Sequence, residues 1–276
     1  MKKAIVIGAG FGGIAAAIRL RKKGYYVEII DRCNNLGGRA QTLNLNGFKH
    51  DTGPTLITAP FLLKELFQLF NKDINSYLKL VPINPWYRFI FEDGSMFDYE
   101  KSLTSTIENI RKINEKDAFN YPNMLEASKK IYDVAFHKLA DKPFHSFFFM
   151  MQQLPSLIKF NSHISVYSFV SKYMESDKMR RAFSIAPLLV GGNPFTTTCI
   201  YSLIHYLERA HGVYFAMGGT GRIVSALGKL LSEIGVKVSL NRTVEKINIK
   251  NSKVISIEDS KGYTKKADLY LSLIHI

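Results

Sequence analysis

A chain of 276 residues that is 46% hydrophobic and 12% aromatic has enough apolar material for one large packed unit or two smaller ones, which excludes a disordered polyelectrolyte. Lysine and arginine total 37 against 23 acids, a formal charge of +14 that favours anionic partners; the basic residues are scattered, and no nucleic-acid-binding motif accompanies them. The two cysteines, Cys33 and Cys199, lack Cys-x-x-Cys or Cys/His spacing, so free thiols in a reducing compartment are expected, with no disulfide framework and no metal centre.

In chain order, residues 4–7 form a short apolar strand that glycines interrupt too early for a signal peptide, which fits a cytoplasmic start. A helix over about 12–23 and a second apolar strand at 27–30 complete a βαβ opening. Residues 32–60 are turn-rich, and 61–72 carry the apolar spacing of an amphipathic helix. Residues 86–92 and 96–99 flank Asp93-Gly94, a hairpin signal. Residues 101–185 read as helices only. Strands are expected again at 213–216, 236–240, 254–258 and 269–273, with a helix at 221–234. The chain is therefore expected to divide into α/β parts at 1–78 and 213–276 around a largely helical part at 79–212. No stretch reaches the ~20 apolar residues that span a bilayer.

The first chemistry-bearing motif is Gly8-Ala9-Gly10-Phe11-Gly12-Gly13, a G-x-G-x-x-G run after a strand and opening a helix. The first glycine suits a tight turn, the second a close approach of backbone to a pyrophosphate, the third close packing of helix on strand. The helix N-terminus favours the phosphate charge. Asp31, at the end of the second strand, stands where a carboxylate accepts hydrogen bonds from a ribose, and it would repel the 2′-phosphate of NADP. Arg32 follows directly, then Gly37-Gly38-Arg39, a pair of glycines past which backbone can run beside a cofactor and an arginine within reach of a phosphate.

With the next segment, Asp51-Thr52-Gly53-Pro54-Thr55, the ordered set resembles the glutathione-reductase-like FAD superfamily of amine oxidases, protoporphyrinogen oxidase and carotenoid desaturases. That resemblance implies FAD as cofactor, Gly53, Pro54 and Thr55 in a small-residue loop beside the flavin, and Val244 packed by the adenine. It implies a Rossmann-type α/β FAD-binding domain with an inserted, largely helical substrate domain. Residues 187–209, containing Gly191-Gly192-Asn193-Pro194-Phe195, and Gly212-Val213-Tyr214-Phe215-Ala216-Met217-Gly218-Gly219-Thr220-Gly221 resemble bacterial-type phytoene desaturases and the related dehydrosqualene desaturases.

This narrower resemblance implies FAD-dependent desaturation of a C30 or C40 polyene, with oxygen or a quinone reoxidising the flavin and no bound nicotinamide. A hydrocarbon substrate needs a long apolar channel. The apolar run Phe144, Phe147, Phe148, Phe149, Met150, Met151, Leu154, Leu157, Ile158 and Phe160, broken by His145 and Gln152-Gln153, suits such a lining or peripheral contact with a membrane surface. No catalytic base is assigned: His205, Glu208, Arg209 and His211 lie in the family-like stretch, but a histidine on a helix is commonly structural. Family members continue further, so the chain is expected to lack the C-terminal part, and its last five or six residues depart from the family pattern. Alternatives are another flavin oxidase of the amine-oxidase type, a polyene isomerase, and a non-enzymatic prenyl-binding protein on the same fold.

Overall fold

The structure is a computed structural model and describes residues 1–136, 138–139, 141–142, 147–160 and 162–273. In chain order its main elements are β1 (Lys3–Ile7), α1 (Phe11–Lys22), β2 (Tyr26–Ile30), β3 (Thr42–Leu45), β4 (Phe48–Asp51), β5 (Leu56–Ile57), α2 (Pro60–Gln68) and β6 (Leu80–Pro82). There follow β7 (Tyr87–Ile90), β8 (Met96–Tyr99), α3 (Leu103–Arg111), α4 (Glu115–Ala135), α5 (Phe147–Lys159), α6 (Val166–Ser171), α7 (Asp177–Phe183) and α8 (Leu203–His211). The chain ends with β9 (Tyr214–Ala216), α9 (Thr220–Glu233), β10 (Lys237–Ser239), β11 (Val244–Lys250), β12 (Lys253–Asp259), β13 (Thr264–Lys265) and β14 (Leu269–Ser272). It divides into two compact units, one made of Met1–Val81 and Tyr214–Ile276, the other of Pro82–Val213.

The first unit is built on a four-stranded sheet in the order β10-β2-β1-β14 with every pair parallel. A strand alternates its side chains between two faces, and β1 shows why both faces are apolar. Ala4 and Val6 join the core formed by Ile14, Ala17 and Ile18 of α1 and Ile223, Leu227, Leu230 and Leu231 of α9. Ile5 and Ile7 point the other way, into a smaller core with Ile30 and Ile257. Ile257 belongs to the antiparallel meander β11-β12-β13, which therefore covers the face opposite the helices. Small residues in α1 and paired leucines in α9 place apolar groups on one side of each helix at the 3.6-residue repeat.

Several short strands go beyond the sequence expectation: β3, β4 and β5 within the turn-rich segment, and β6, β11 and β13 elsewhere. Within the stretch read as turns, β3 and β4 form an antiparallel hairpin across Asn46-Gly47, both at positive φ, pairing Leu45 with Phe48. Asn-Gly is the residue pair that such a two-residue turn selects.

In the second unit the hairpin β7–β8 turns at Asp93-Gly94 as expected: Phe91 N–H donates to Ser95 O, and the Asp93 carboxylate accepts from the Ser95 amide at 3.2 Å and from Ser95 Oγ at 2.7 Å. Arg88 and Asp98 pair across the two strands at 2.7 Å. The helices begin at side-chain caps, with Ser102 Oγ accepting from Ser105 N and Asn114 Oδ1 from Asp117 N. Asp117 is itself buried and accepts from the amides of Glu175 and Ser176 at 2.6 and 3.0 Å, which ties the start of α4 to the loop leading into α7. The core contains Phe97, Tyr99, Ile110, Tyr121, Met124, Met179 and Phe183, with Tyr121 and Phe183 stacked at 5.1 Å.

The apolar run singled out in the sequence includes α5, where Phe147, Phe148 and Ile158 are exposed. Phe144 and His145 lie outside the described residues, as do the side chains of Met150, Leu154 and Leu157 and the terminal residues 274–276.

Candidate cofactor site

The glycine loop joins β1 to α1. Gly8 takes a φ of 106°, and its amide donates to Ile30 O at 2.8 Å, which holds the turn against the end of β2. The first helical bond runs from Ile14 N to Gly10 O at 2.9 Å. Gly13 leaves no room for a side chain, since a Cβ there would overlap the Gly8 carbonyl oxygen. Gly10 is the opposite: a Cβ there meets nothing within 4 Å. It is the N-cap of α1 and offers no side-chain acceptor to the first turn, which also lacks an acid, while Arg19, Arg21 and Lys22 occupy the last turn. The first turn thus has no side-chain cap and no acid of its own, with open space beside Gly10, an arrangement that attracts an anion. At Gly12 an added Cβ would make an ordinary 3.4 Å contact with Leu273.

Asp31 is brought onto this loop. Its Oδ2 accepts from the amide of Ala9 at 2.6 Å and its Oδ1 from the amide of Cys33 at 2.7 Å. Each oxygen retains a second lone pair for a further donor. Gly37 and Gly38 close the other side. Gly37 N–H donates to Ala9 O at 2.8 Å with φ at 106°, and a Cβ on Gly38 would lie 3.1 Å from Gly10 Cα. On its far side, a Cβ on Gly37 would fall 2.8 Å from Val224 of α9. Gly38 is therefore demanded by the close approach of the Gly10 backbone, and Gly37 by its positive φ and the Val224 side chain.

The remaining expected residues take two kinds of position. Gly53 packs on the turn after the Gly-Gly pair, where its Cβ would come within 2.7 Å of Ala40 Cα and 2.9 Å of Arg39 O. Arg32, Arg39, Pro54 and Thr55 are exposed. Pro54 supplies its carbonyl to Thr220 Oγ1 at 2.8 Å. Val244 is half-buried and packs on the core of Ile5, Ile7, Ile30 and Ile257. The two residues that lead towards it are tied to the acid's segment, Asn241 N to Cys33 O at 3.0 Å and Arg242 N to Asp31 O at 2.9 Å.

The sequence shows Asp51 only within a loop, and the structure gives it a part in holding a helix. Asp51 accepts from Thr220 N at 2.9 Å and Thr42 Oγ1 at 2.9 Å, so it caps α9, whose N-cap residue is Gly219. Added side chains at Gly219 and Gly221 would overlap Asp51 and Thr42 respectively. Burial opposes ionisation of Asp51, but the Thr220 amide, the Thr42 hydroxyl and the Gly221 amide outweigh it and hold the carboxyl below its ordinary range. Both segments are visible in the sequence as glycine-bearing turns. Their contact spans 169 positions and leaves no local pattern.

Residues of the family-like stretch near 205 have structural partners. His205 Nε2 lies 2.8 Å from Phe183 O, His211 Nε2 lies 2.9 Å from Tyr132 OH, and Tyr87 OH donates to Glu208 at 2.6 Å. The Arg209 guanidinium donates to Glu100 O, Lys101 O, Thr106 Oγ1 and Tyr121 OH, and sits 4.7 and 4.9 Å from the rings of Trp86 and Tyr99.

The loop therefore fits a dinucleotide: a helix N-terminus with open space, a carboxylate held beside it, and a second glycine pair lining the gap. The profile of the flavin containing amine oxidoreductases matches residues 11–272. The chain is 40% identical over 269 residues to a lycopene-forming phytoene desaturase of Pantoea ananas, covering 97% of this chain and 55% of that protein. A lycopene-forming phytoene desaturase of Pseudescherichia vulneris is 40% identical over 262 residues, covering 95% and 53%. The chain thus spans about half the length of the curated relatives it matches. Among solved structures, an oxidoreductase from Methanosarcina mazei superposes with a TM-score of 0.64 at 20% identity, over 98% of this chain and 58% of that one, a likeness of fold. On the matched span and the glycine loop together, the chain belongs to the flavin-containing amine oxidoreductase family, with FAD as its cofactor.

Proposed function

We propose that this chain is the FAD-binding part of a desaturase that introduces double bonds into a carotenoid precursor, a phytoene-like C30 or C40 polyene. The observation that carries the reading is 40% identity to a lycopene-forming phytoene desaturase across 97% of the chain. When bound, FAD supplies the two-electron oxidant that takes up a hydride from an allylic carbon while the adjacent carbon loses a proton. The chain's own residues do the holding. The Gly8-Gly10-Gly13 loop and the start of α1 would bind the pyrophosphate, Asp31 would accept from a ribose hydroxyl, and Gly37-Gly38 would let the backbone pass beside the cofactor. Arg39 would approach a phosphate from the surface, and Gly53-Pro54-Thr55 would line the flavin side. Oxygen or a quinone would reoxidise the flavin.

The reading extends to location: a cytoplasmic protein held peripherally on a membrane. Its support is the charge of +14 and the exposed Phe147 and Phe148 on α5, at 72% and 80%. Among the described residues no helix is long and apolar enough to cross a membrane.

The test is incubation of the purified chain with FAD and phytoene in liposomes, with the flavin read by absorption and the polyene by mass. Loss of two hydrogens per step supports desaturation. An altered polyene of unchanged mass points to an isomerase. A folded chain that takes up no flavin overturns the reading.

A further inference from the structure

Inside the second unit, α8 buries two titratable side chains one turn apart, His205 at 3% and Glu208 at 2% exposure. Both line one cavity of about 20 Å³, otherwise walled by Tyr87, Phe183, Ile185 and Leu189 among other mainly apolar groups. Roughly 10–15 Å³ is enough for one water molecule where polar partners are present. The hydrogen-bond roles around the cavity are fixed by their partners. Phe183 O can only accept, so His205 Nε2 carries the proton and Nδ1 is left as an acceptor. That Nδ1 is buried and has no partner. Across the cavity, Tyr87 OH donates to Glu208 Oε1 at 2.6 Å, which leaves Oε2 to complete the array. A buried acceptor without a donor is costly, and a water in the space beside it is the usual remedy.

We propose that this cavity is a buried water and proton site: one water molecule donates to His205 Nδ1 and accepts from Glu208 Oε2, with Glu208 in its carboxylic-acid form. The resulting chain runs Tyr87 O–H to Glu208 Oε1, Glu208 Oε2–H to water, water to His205 Nδ1, and His205 Nε2–H to Phe183 O. Each link of the chain runs from a donor to an acceptor, and the chain carries no formal charge. The groups facing Glu208 agree with it. Tyr87, Tyr99 and Tyr121 are neutral phenols, and among the described residues the cation beside them, Arg209, donates to two backbone carbonyls, Thr106 and Tyr121. Burial pushes the Glu208 carboxyl up to about 7, against the opposing pull of Tyr87 and Arg209. Burial pushes His205 down to about 4, the Phe183 bond opposing and Arg209 adding to the effect.

The pH dependence follows with definite signs. Glu208 has a raised folded value, so its contribution is complete below about 4.5 and is lost as pH rises through about 7. His205 has a depressed folded value, so its contribution is present above about 6.5 and is lost as pH falls through about 4. Between those limits the folded chain keeps one proton on Glu208 and the unfolded chain keeps it on His205, so the two dependences cancel. Replacing either residue exposes the other.

The experiment compares unfolding of the 276-residue chain with that of Glu208→Gln across pH 4.5 to 7.5. The wild-type unfolding constant should rise relative to the variant's by about two orders of magnitude over this range. A ratio independent of pH overturns the protonated carboxyl. Should the variant not fold, infrared spectra of the wild-type chain with and without ¹³C-glutamate decide the same point. A protonated-carboxyl band must be present at pH 6 and gone at pH 8, and its absence at pH 6 overturns the assignment. A high-resolution crystal structure with an empty cavity beside His205 Nδ1 overturns the water.

Discussion

The two units hold their buried polar chemistry in opposite ways. In the first, the candidate site is made almost wholly of backbone: the amides of the Gly8–Gly13 loop, a carbonyl taken up by Gly37, and a single carboxylate, Asp31, fastened to Ala9. In the second, the polar cluster is made of side chains on β7, β8, α4 and α8, where Tyr87 donates to Glu208, Tyr121 to Tyr99 and Arg209 to Tyr121. A backbone site must exclude side chains, so it writes glycines at fixed spacing into the sequence. A side-chain cluster needs only complementary groups at any separation, and it writes nothing local.

The largest expected effect is on the backbone side. Gly13→Ala puts a Cβ into the Gly8 carbonyl, and neither backbone segment can move without breaking the junction of β1 and α1. A destabilisation of about 4 kcal/mol is expected, together with loss of FAD uptake, measured by thermal unfolding and flavin titration. A variant that unfolds like the wild type would show that the loop relaxes and that close packing is not what the third glycine provides.

Arg209→Met tests the side-chain half of the contrast. It removes four donated hydrogen bonds and two aromatic contacts, and it leaves the Glu100 and Lys101 carbonyls without their donor. About 3 kcal/mol of stability should be lost. FAD affinity, measured on the folded fraction, should stay within twofold. A large change in affinity at unchanged stability would move Arg209 out of the structural role given to it.

This contrast also explains what the sequence made legible. The βαβ opening, the glycine loop and Asp31 could be read because each lies within a few positions of the constraint that demands it. The Asp93-Gly94 hairpin is legible for the same reason, whereas the equally local Asn46-Gly47 signal is lost amid neighbouring turn residues. Its strands expose Leu43, Leu45 and Phe48, so no alternation of buried and exposed positions marked them. Asp51 was seen only as part of a loop, because its role depends on Thr220. Glu208 and Arg209 drew attention through the stretch they occupy, but their partners lie about 90 to 120 positions away, and only the folded chain shows that these residues serve one another.

A smaller effect is expected at Asp51. Asp51→Ala removes the cap of α9 and should cost about 1–2 kcal/mol near neutral pH. Because its carboxyl is held below the ordinary value, the stabilisation is present above that value and is lost as pH falls through the depressed one. Denaturant unfolding of the variant and the wild type should therefore converge in acid. A gap that persists at low pH would mean that shape, not charge, is what Asp51 contributes.

The smallest effect on stability, and the most informative contrast with Gly13, belongs to Gly10. Its φ of −72° and ψ of 175° are accessible to any residue, and an added Cβ meets nothing within 4 Å. Gly10→Ala should thus change stability by no more than about 0.5 kcal/mol. If the open space beside it is where the pyrophosphate approaches the backbone, the added methyl group stands in that path, and flavin affinity should fall at least tenfold, about 1.4 kcal/mol. Gly13 and Gly10 would then separate two demands that the motif combines, one made by the fold and one by the ligand. Were Gly10→Ala to bind FAD as the wild type does, the phosphates would have to approach the helix from another side, and the close contact of Gly38 with Gly10 would have to be explained by packing alone.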